Sequence, residues 1–140
     1  MAYVLQQPLD TWTPEALLPG NRMRDVALAD LDGDGDLDLV HGDFDGGEVY
    51  WRQNDLDGAG AVLARVSIGS GIGGAQGLSI ADIDGDSDLD VAVAGRSART
   101  YFWLENTAGD AGAWTRHTIT DGVNAAQVVV AADLDVQVGV

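Results

Sequence analysis

The chain has 140 residues, with 23 aspartates and glutamates against 7 lysines and arginines, a formal net charge of −16, 46% apolar residues and no cysteine. That length and apolar content support one domain with a real core and exclude a disordered acidic tail. The charge excludes the basic face that nucleic acid requires, the lack of cysteine excludes disulfides and thiolate metal sites, and no stretch approaches the roughly 20 apolar residues that cross a bilayer.

Residues 1–19 are predicted to be the second half of a repeat unit. Tyr3-Val4-Leu5-Gln6 falls where Tyr50 and Trp51 fall in the next unit, and Trp12 precedes Trp114 by two units. Residues 20–68 are predicted to form one whole unit. Within it Val26 to Leu31, Leu37 to Gly42, Glu48 to Gln53 and Ala61 to Ile68 read as four short strands. An aspartate-rich stretch, Asp45-Gly46-Gly47 and Asp57-Gly58-Ala59-Gly60 separate them. Glycine tolerates positive φ and aspartate bonds its own backbone, so these separators are turn formers. Residues 69–119 repeat the plan, with turns predicted at Gly95 to Ala98 and Ala108 to Gly112. Trp51 and Trp103 are 52 positions apart, as are Asn54 and Asn106; Arg65 and Arg116 are 51 apart, as are Ile68 and Ile119. A third copy starts at Gln127, matching Gln76, and runs through Ala132-Asp133-Leu134-Asp135 before it departs, so residues 120–140 are predicted to be the first half of a unit. No helical periodicity of useful length is present. Four short antiparallel strands per ~50 residues is the pattern of a β-propeller blade. The predicted fold is all-β: a single domain over 1–140 of about three blades, two whole and one split between the chain ends.

The aspartate stretches are nearly the same sentence. Ala29 to Val40 reads ADLDGDGDLDLV and Ala81 to Ala92 reads ADIDGDSDLDVA, with eight of twelve positions identical. Ten of the 23 acidic residues lie in these two windows. Like charges at every second position repel unless a cation sits among them. Calcium is a hard cation that takes about 6 to 8 oxygens, and a tight loop supplies them from inward carboxylates and one backbone carbonyl. Asp30, Asp32, Asp34 and Asp38 are the candidate carboxylates of the first loop, with the carbonyl of Asp36. Asp82, Asp84, Asp86 and Asp90 are those of the second, with the carbonyl of Asp88. Two Ca²⁺ per chain are expected. Gly33, Gly35 and Gly85 permit the bends, and Ser87 in place of a glycine predicts strain in the second loop. An EF-hand is a poor match: position 12 is His41 or Val93, and the flanks read as strands.

With its D-x-D-G-D-x-D-x-D loops followed by β-rich stretches, the chain resembles the FG-GAP or VCBS calcium-binding propeller repeats familiar from integrin α-chains and many bacterial secreted proteins. The resemblance covers about Trp12 to Asp135. It implies one Ca²⁺ per complete loop, none in the third copy where only Asp133 and Asp135 remain, and an extracellular parent protein, although this chain begins with no signal-peptide pattern. The function expected is a calcium-stabilised scaffold or binding module with no catalysis; the alternative is a lectin-like propeller that holds glycans between blades. Trp51 and Trp103, and likewise Trp12 and Trp114, are read as core between sheets rather than sugar platforms. His41 and His117 are read as strand-end or surface residues. Arg65 and Arg116 are expected to bond a neighbouring blade. Three blades do not close a ring, because propellers have about 4 to 8. The expected partner is therefore the chain itself, a dimer giving six blades first and a trimer giving nine next. The competing reading is a fragment of a longer propeller. A further glycan or protein ligand is open; nucleic acid and membrane are not expected.

Overall fold

Alternating apolar and polar side chains build antiparallel ladders from neighbouring segments. The computed structural model describes residues 3–4, 15–16, 22–55, 61–62 and 65–132, and the described residues hold strands, turns and bends but no helix. Tyr3–Val4 (β1) pairs antiparallel with Glu15–Ala16 (β2). The first four-stranded sheet contains Met23–Ala29 (β3), Asp38–Asp43 (β4) and Glu48–Arg52 (β5). After β5, Asn54–Asp55 (β6) pairs with Ala61–Val62 (β7), and Val66–Gly69 (β8) then completes the sheet in the order β3-β4-β5-β8. Ala75–Ala81 (β9), Asp90–Gly95 (β10), Thr100–Asn106 (β11) and Trp114–Thr120 (β12) form the second, in the order β12-β11-β10-β9. Each sheet is an antiparallel meander, the arrangement expected of a blade. The repeat extends to the register: Val40 faces Trp51 in the first sheet as Ala92 faces Trp103 in the second.

Several boundaries differ from the sequence reading. β3 starts earlier, at Met23, with a register shift between Met23 and Val26, and it ends at Ala29, so that Leu31 belongs to the loop. The segment predicted as one strand over 61–68 is divided between β7 and β8, which pair with different partners. The turn predicted at Gly95 to Ala98 lies at 96–99. Gly95 stays in β10, paired with Thr100 and Ala75, and its backbone passes so close to the Ile72 carbonyl and the Phe102 ring that a Cβ would collide with both. The predicted turn over Asp57 to Gly60, Trp12, Asp133 and Asp135 lie outside the described residues, as does most of 1–19.

The central strands β4 and β10 are buried at every position. Val40, Val49 and Trp51 of the first sheet share a core with Val91, Val93, Phe102 and Leu104 of the second. β3 lies beside β9, and the Leu78 amide donates to Asp25 Oδ2 across that seam at 2.9 Å. The Ile72 amide donates to the Gly47 carbonyl at 2.9 Å. The opposite face of each sheet is less covered. Val26 and Leu28 are 51% and 62% exposed, and Ile119 is 55% exposed. Residues 127–131, from the third copy, run along β9: the Ala131 amide donates to Ser79 Oγ at 3.0 Å, and the Gln127 carbonyl crosses directly over Gly77. They leave a groove of about 910 Å³ between themselves, Ala92, Tyr101 and Ile119.

Candidate metal centres

Each aspartate loop connects the first two strands of its sheet and is wound by its own carboxylates. In the first loop Asp30 accepts from the amides of Gly33 (2.8 Å) and Gly35 (3.0 Å). Asp82 accepts from Gly85 (2.7 Å) and Ser87 (3.0 Å) in the second. Asp32 and Asp34 accept from the amides two residues on, at 3.2 and 2.8 Å, and Asp84 and Asp86 do so at 3.2 and 2.9 Å. These are the local turns that aspartate favours over regular structure. The ninth position differs. Asp38 and Asp90 are 0% and 1% exposed, at the first residues of β4 and β10. Asp38 accepts from the amides of Leu31 (3.1 Å) and Asn54 (2.9 Å), and Asp90 from those of Ile83 (3.0 Å) and Asn106 (2.9 Å). Two buried carboxylates thus tie the loops to the start of β6 and the end of β11.

The winding needs left-handed backbone at two positions. Gly33 and Gly85 have φ of 77° and 83°, and Gly35 has 96°. Ser87 adopts φ of 81°, so the strain expected from the missing glycine is present in the second loop.

Carboxylate oxygens from Asp30, Asp32 and Asp38 lie within 4.8 Å of one another, as do those from Asp82, Asp84 and Asp86. Asp34 and Asp90 belong to the same loops but fall outside these two tight groups. The Asp88 carboxylate lies beside Gly109, and Asp36 occupies the matching position of the first loop. Crowding has an electrostatic cost. Burial holds Asp32 above the usual carboxylate range, assisted by the charges of Asp38, Asp34 and Asp30. Burial likewise raises Asp38 and Asp84, with neighbouring aspartates adding to it. Hard oxygens gathered at this spacing, and reluctant to be charged together, fit a divalent hard cation.

Some residues at the loops were not singled out by the sequence. Gln53 donates to Asp32 Oδ2 at 2.6 Å. Its repeat equivalent is Glu105, which instead meets His117 Nε2 at 2.6 Å. Asn54 and Asn106 were visible as a repeated pair, but nothing in the pattern distinguished their side chains. Asn54 Nδ2 donates to Leu37 of its own loop, and Asn106 Nδ2 donates to Leu31 of the other loop, both at 3.1 Å.

The histidines and aromatics correct the sequence reading in part. His41 is not a surface residue: it is fully buried in the middle of β4, its ring tilted against Tyr50 at 5.3 Å. Neither ring nitrogen has a hydrogen-bond partner among the described residues. Burial, then Arg52 and Arg65, pushes its pKa down from 6.5 to about 4. His117 is part-exposed and stacks on Trp103 at 4.5 Å. Trp51 is buried in the shared core as expected, while Trp103 is only half-buried. Arg116 donates to the Ser70 carbonyl in the link between the sheets. Arg65 instead covers the Tyr50 ring of its own sheet at 4.5 Å.

Among the described residues no helix is long and apolar enough to cross a membrane. No curated protein and no solved structure matches the chain. A family model does, described as an FG-GAP-like repeat and matching residues 30–93. The match opens at the first aspartate of the first loop and ends just past the last aspartate of the second. Residues 30–93, which run from one aspartate loop through the other, are therefore similar to an FG-GAP-like repeat.

Proposed function

We propose that this chain is a calcium-stabilised β-propeller scaffold, extracellular and without catalysis, that closes its ring with a second copy of itself. The observation that carries the calcium reading is the bond-for-bond identity of the two loops around a buried ninth aspartate. Asp30, Asp32, Asp34 and Asp38 with the Asp36 carbonyl would hold one ion, and Asp82, Asp84, Asp86 and Asp90 with the Asp88 carbonyl a second. The bound ion would neutralise carboxylates that now repel. Binding to the folded state alone then stabilises it by mass action, by about 2.7 kcal/mol at a hundredfold excess over Kd.

The assembly reading rests on two half-units. β1 and β2 form a ladder of two strands, and residues 127–131 run beside β9. Val128 and Val130 are 71% and 77% exposed there, an apolar edge that an isolated chain would leave open. Two copies complete six blades and three complete nine. Calorimetry should find two calcium ions per chain and a melting temperature that falls in chelator. Native mass spectrometry should find a dimer. No calcium uptake would remove the metal reading. A stable folded monomer at micromolar concentration would remove the ring, leaving a fragment of a longer propeller.

A further inference from the structure

We infer that Asn106 couples the two aspartate loops, so that calcium in one strengthens calcium binding in the other. The inference rests on the calcium reading above but concerns a residue that no repeat pattern assigns to the first loop.

Asn106 ends β11, belongs to the second sheet and is fully buried. Its amide and side chain make three hydrogen bonds. Its amide donates to Asp90 Oδ1 at 2.9 Å, its Oδ1 accepts from the Ala111 amide at 3.1 Å, and its Nδ2 donates to the Leu31 carbonyl at 3.1 Å. Leu31 sits in the first loop between Asp30 and Asp32, and is 2% exposed. Its own amide donates to Asp38 Oδ2 at 3.1 Å. Leu31 is thus held from one side by the buried carboxylate of its own loop and from the other by Asn106, which also holds the buried carboxylate of the second loop. The bonds in this chain are direct, and every residue in it is buried. Buried networks of this kind resist partial rearrangement, because an unpaired donor or acceptor would be stranded away from solvent.

Drawing Asp82, Asp84, Asp86 and Asp90 around an ion fixes Asp90, and with it Asn106. A fixed Asn106 fixes the Leu31 carbonyl, and hence the backbone on which Asp30 and Asp32 are carried. The first loop then has less order left to acquire. The same path runs in reverse, since coupling between two binding sites is reciprocal. Asn54 is the internal control. It stands at the equivalent repeat position and its amide makes the equivalent bond to Asp38, but its side chain stays on its own loop.

The test is calcium calorimetry on the full chain and on variants that carry four substitutions, singly or combined. Asp84→Asn disables the second loop. In the wild-type background it should weaken the first loop by about fivefold or more, the lower end of typical coupling. With Asn106→Ala already present, Asp84→Asn should leave the first loop's affinity unchanged. Asn54→Ala should weaken the first loop alone and preserve the effect of Asp84→Asn. A merely structural role for Asn106 would lower stability without abolishing that dependence. Should Asn106→Ala not fold, Asp32→Asn, which disables the first loop, provides a second measurement. Calcium filling the second loop should then still slow amide hydrogen exchange at Leu31 and Asp32. Two ions that bind with affinities indifferent to disabling the other loop, and no exchange change at Leu31, overturn the coupling and leave the calcium reading intact. No calcium binding by the wild type overturns both.

Discussion

His41 is a neutral imidazole enclosed by strand backbone, Tyr50 and two arginines, and that has a pH consequence. Its pKa is 6.5 when unfolded and about 4 when folded. Between those values the unfolded chain binds a proton that the folded chain refuses. Stability is therefore retained above pH 6.5 and declines as pH falls toward 4, by about 3 kcal/mol in all. Urea titrations in chelator, which excludes the metal linkage proposed for the loops, should find this decline in the wild type and a flatter profile in His41→Leu. Equal slopes would dismiss the role of His41. The tryptophans separate by the same logic of burial. Trp51→Ala should cost ~3–5 kcal/mol, and Trp103→Ala roughly half as much, because Trp51 fills the shared core while Trp103 is half-buried under His117. Acrylamide should quench Trp103 and spare Trp51. The repeat had treated these two residues as equals. They do occupy matching positions, but the face they share meets the other sheet in one case and turns away from it in the other. Periodicity reports a residue's place within a unit, not which neighbour that unit has.

At the scale of strands and loops, more was legible. The near-repeat of twelve residues locates both loops, and alternation locates the strands of each meander, because loop winding and ladder pairing are decided by residues close in sequence. The misplaced boundaries arise where a distant segment intervenes. Gly95 reads as a turn residue on composition alone, yet it pairs with Thr100 and Ala75 in β10, where the Ile72 carbonyl leaves no room for a Cβ. Gly95→Ala should accordingly destabilise the protein by about 1–3 kcal/mol, a cost of overpacking, as measured by the denaturation midpoint. A neutral result would mean that the link carrying Ile72 moves aside freely. The cross-sheet bond of Asn106 was illegible for a related reason: its acceptor lies 75 residues away, and only the docking of the two sheets brings it near.

For the whole molecule, the proposed assembly rests on the half-units at the two ends. Removing Met1 to Leu18 takes away both β1 and β2, and should abolish the proposed dimer outright in light scattering rather than weaken it by a small factor. A truncated chain that still dimerises would place the interface elsewhere. The meander itself has a kinetic consequence. Every ladder in both four-stranded sheets joins strands that follow one another closely along the chain, so each pairing closes only a short loop. Chains whose contacts are local fold faster than sandwiches that must pair distant strands. Each sheet can therefore organise early and alone, before the other is complete. What remains is the docking of two preformed units whose edges and loops are nearly interchangeable in sequence. Such chains are prone to exchanging equivalent units between molecules, so refolding yield should fall with protein concentration even while the early rate stays constant.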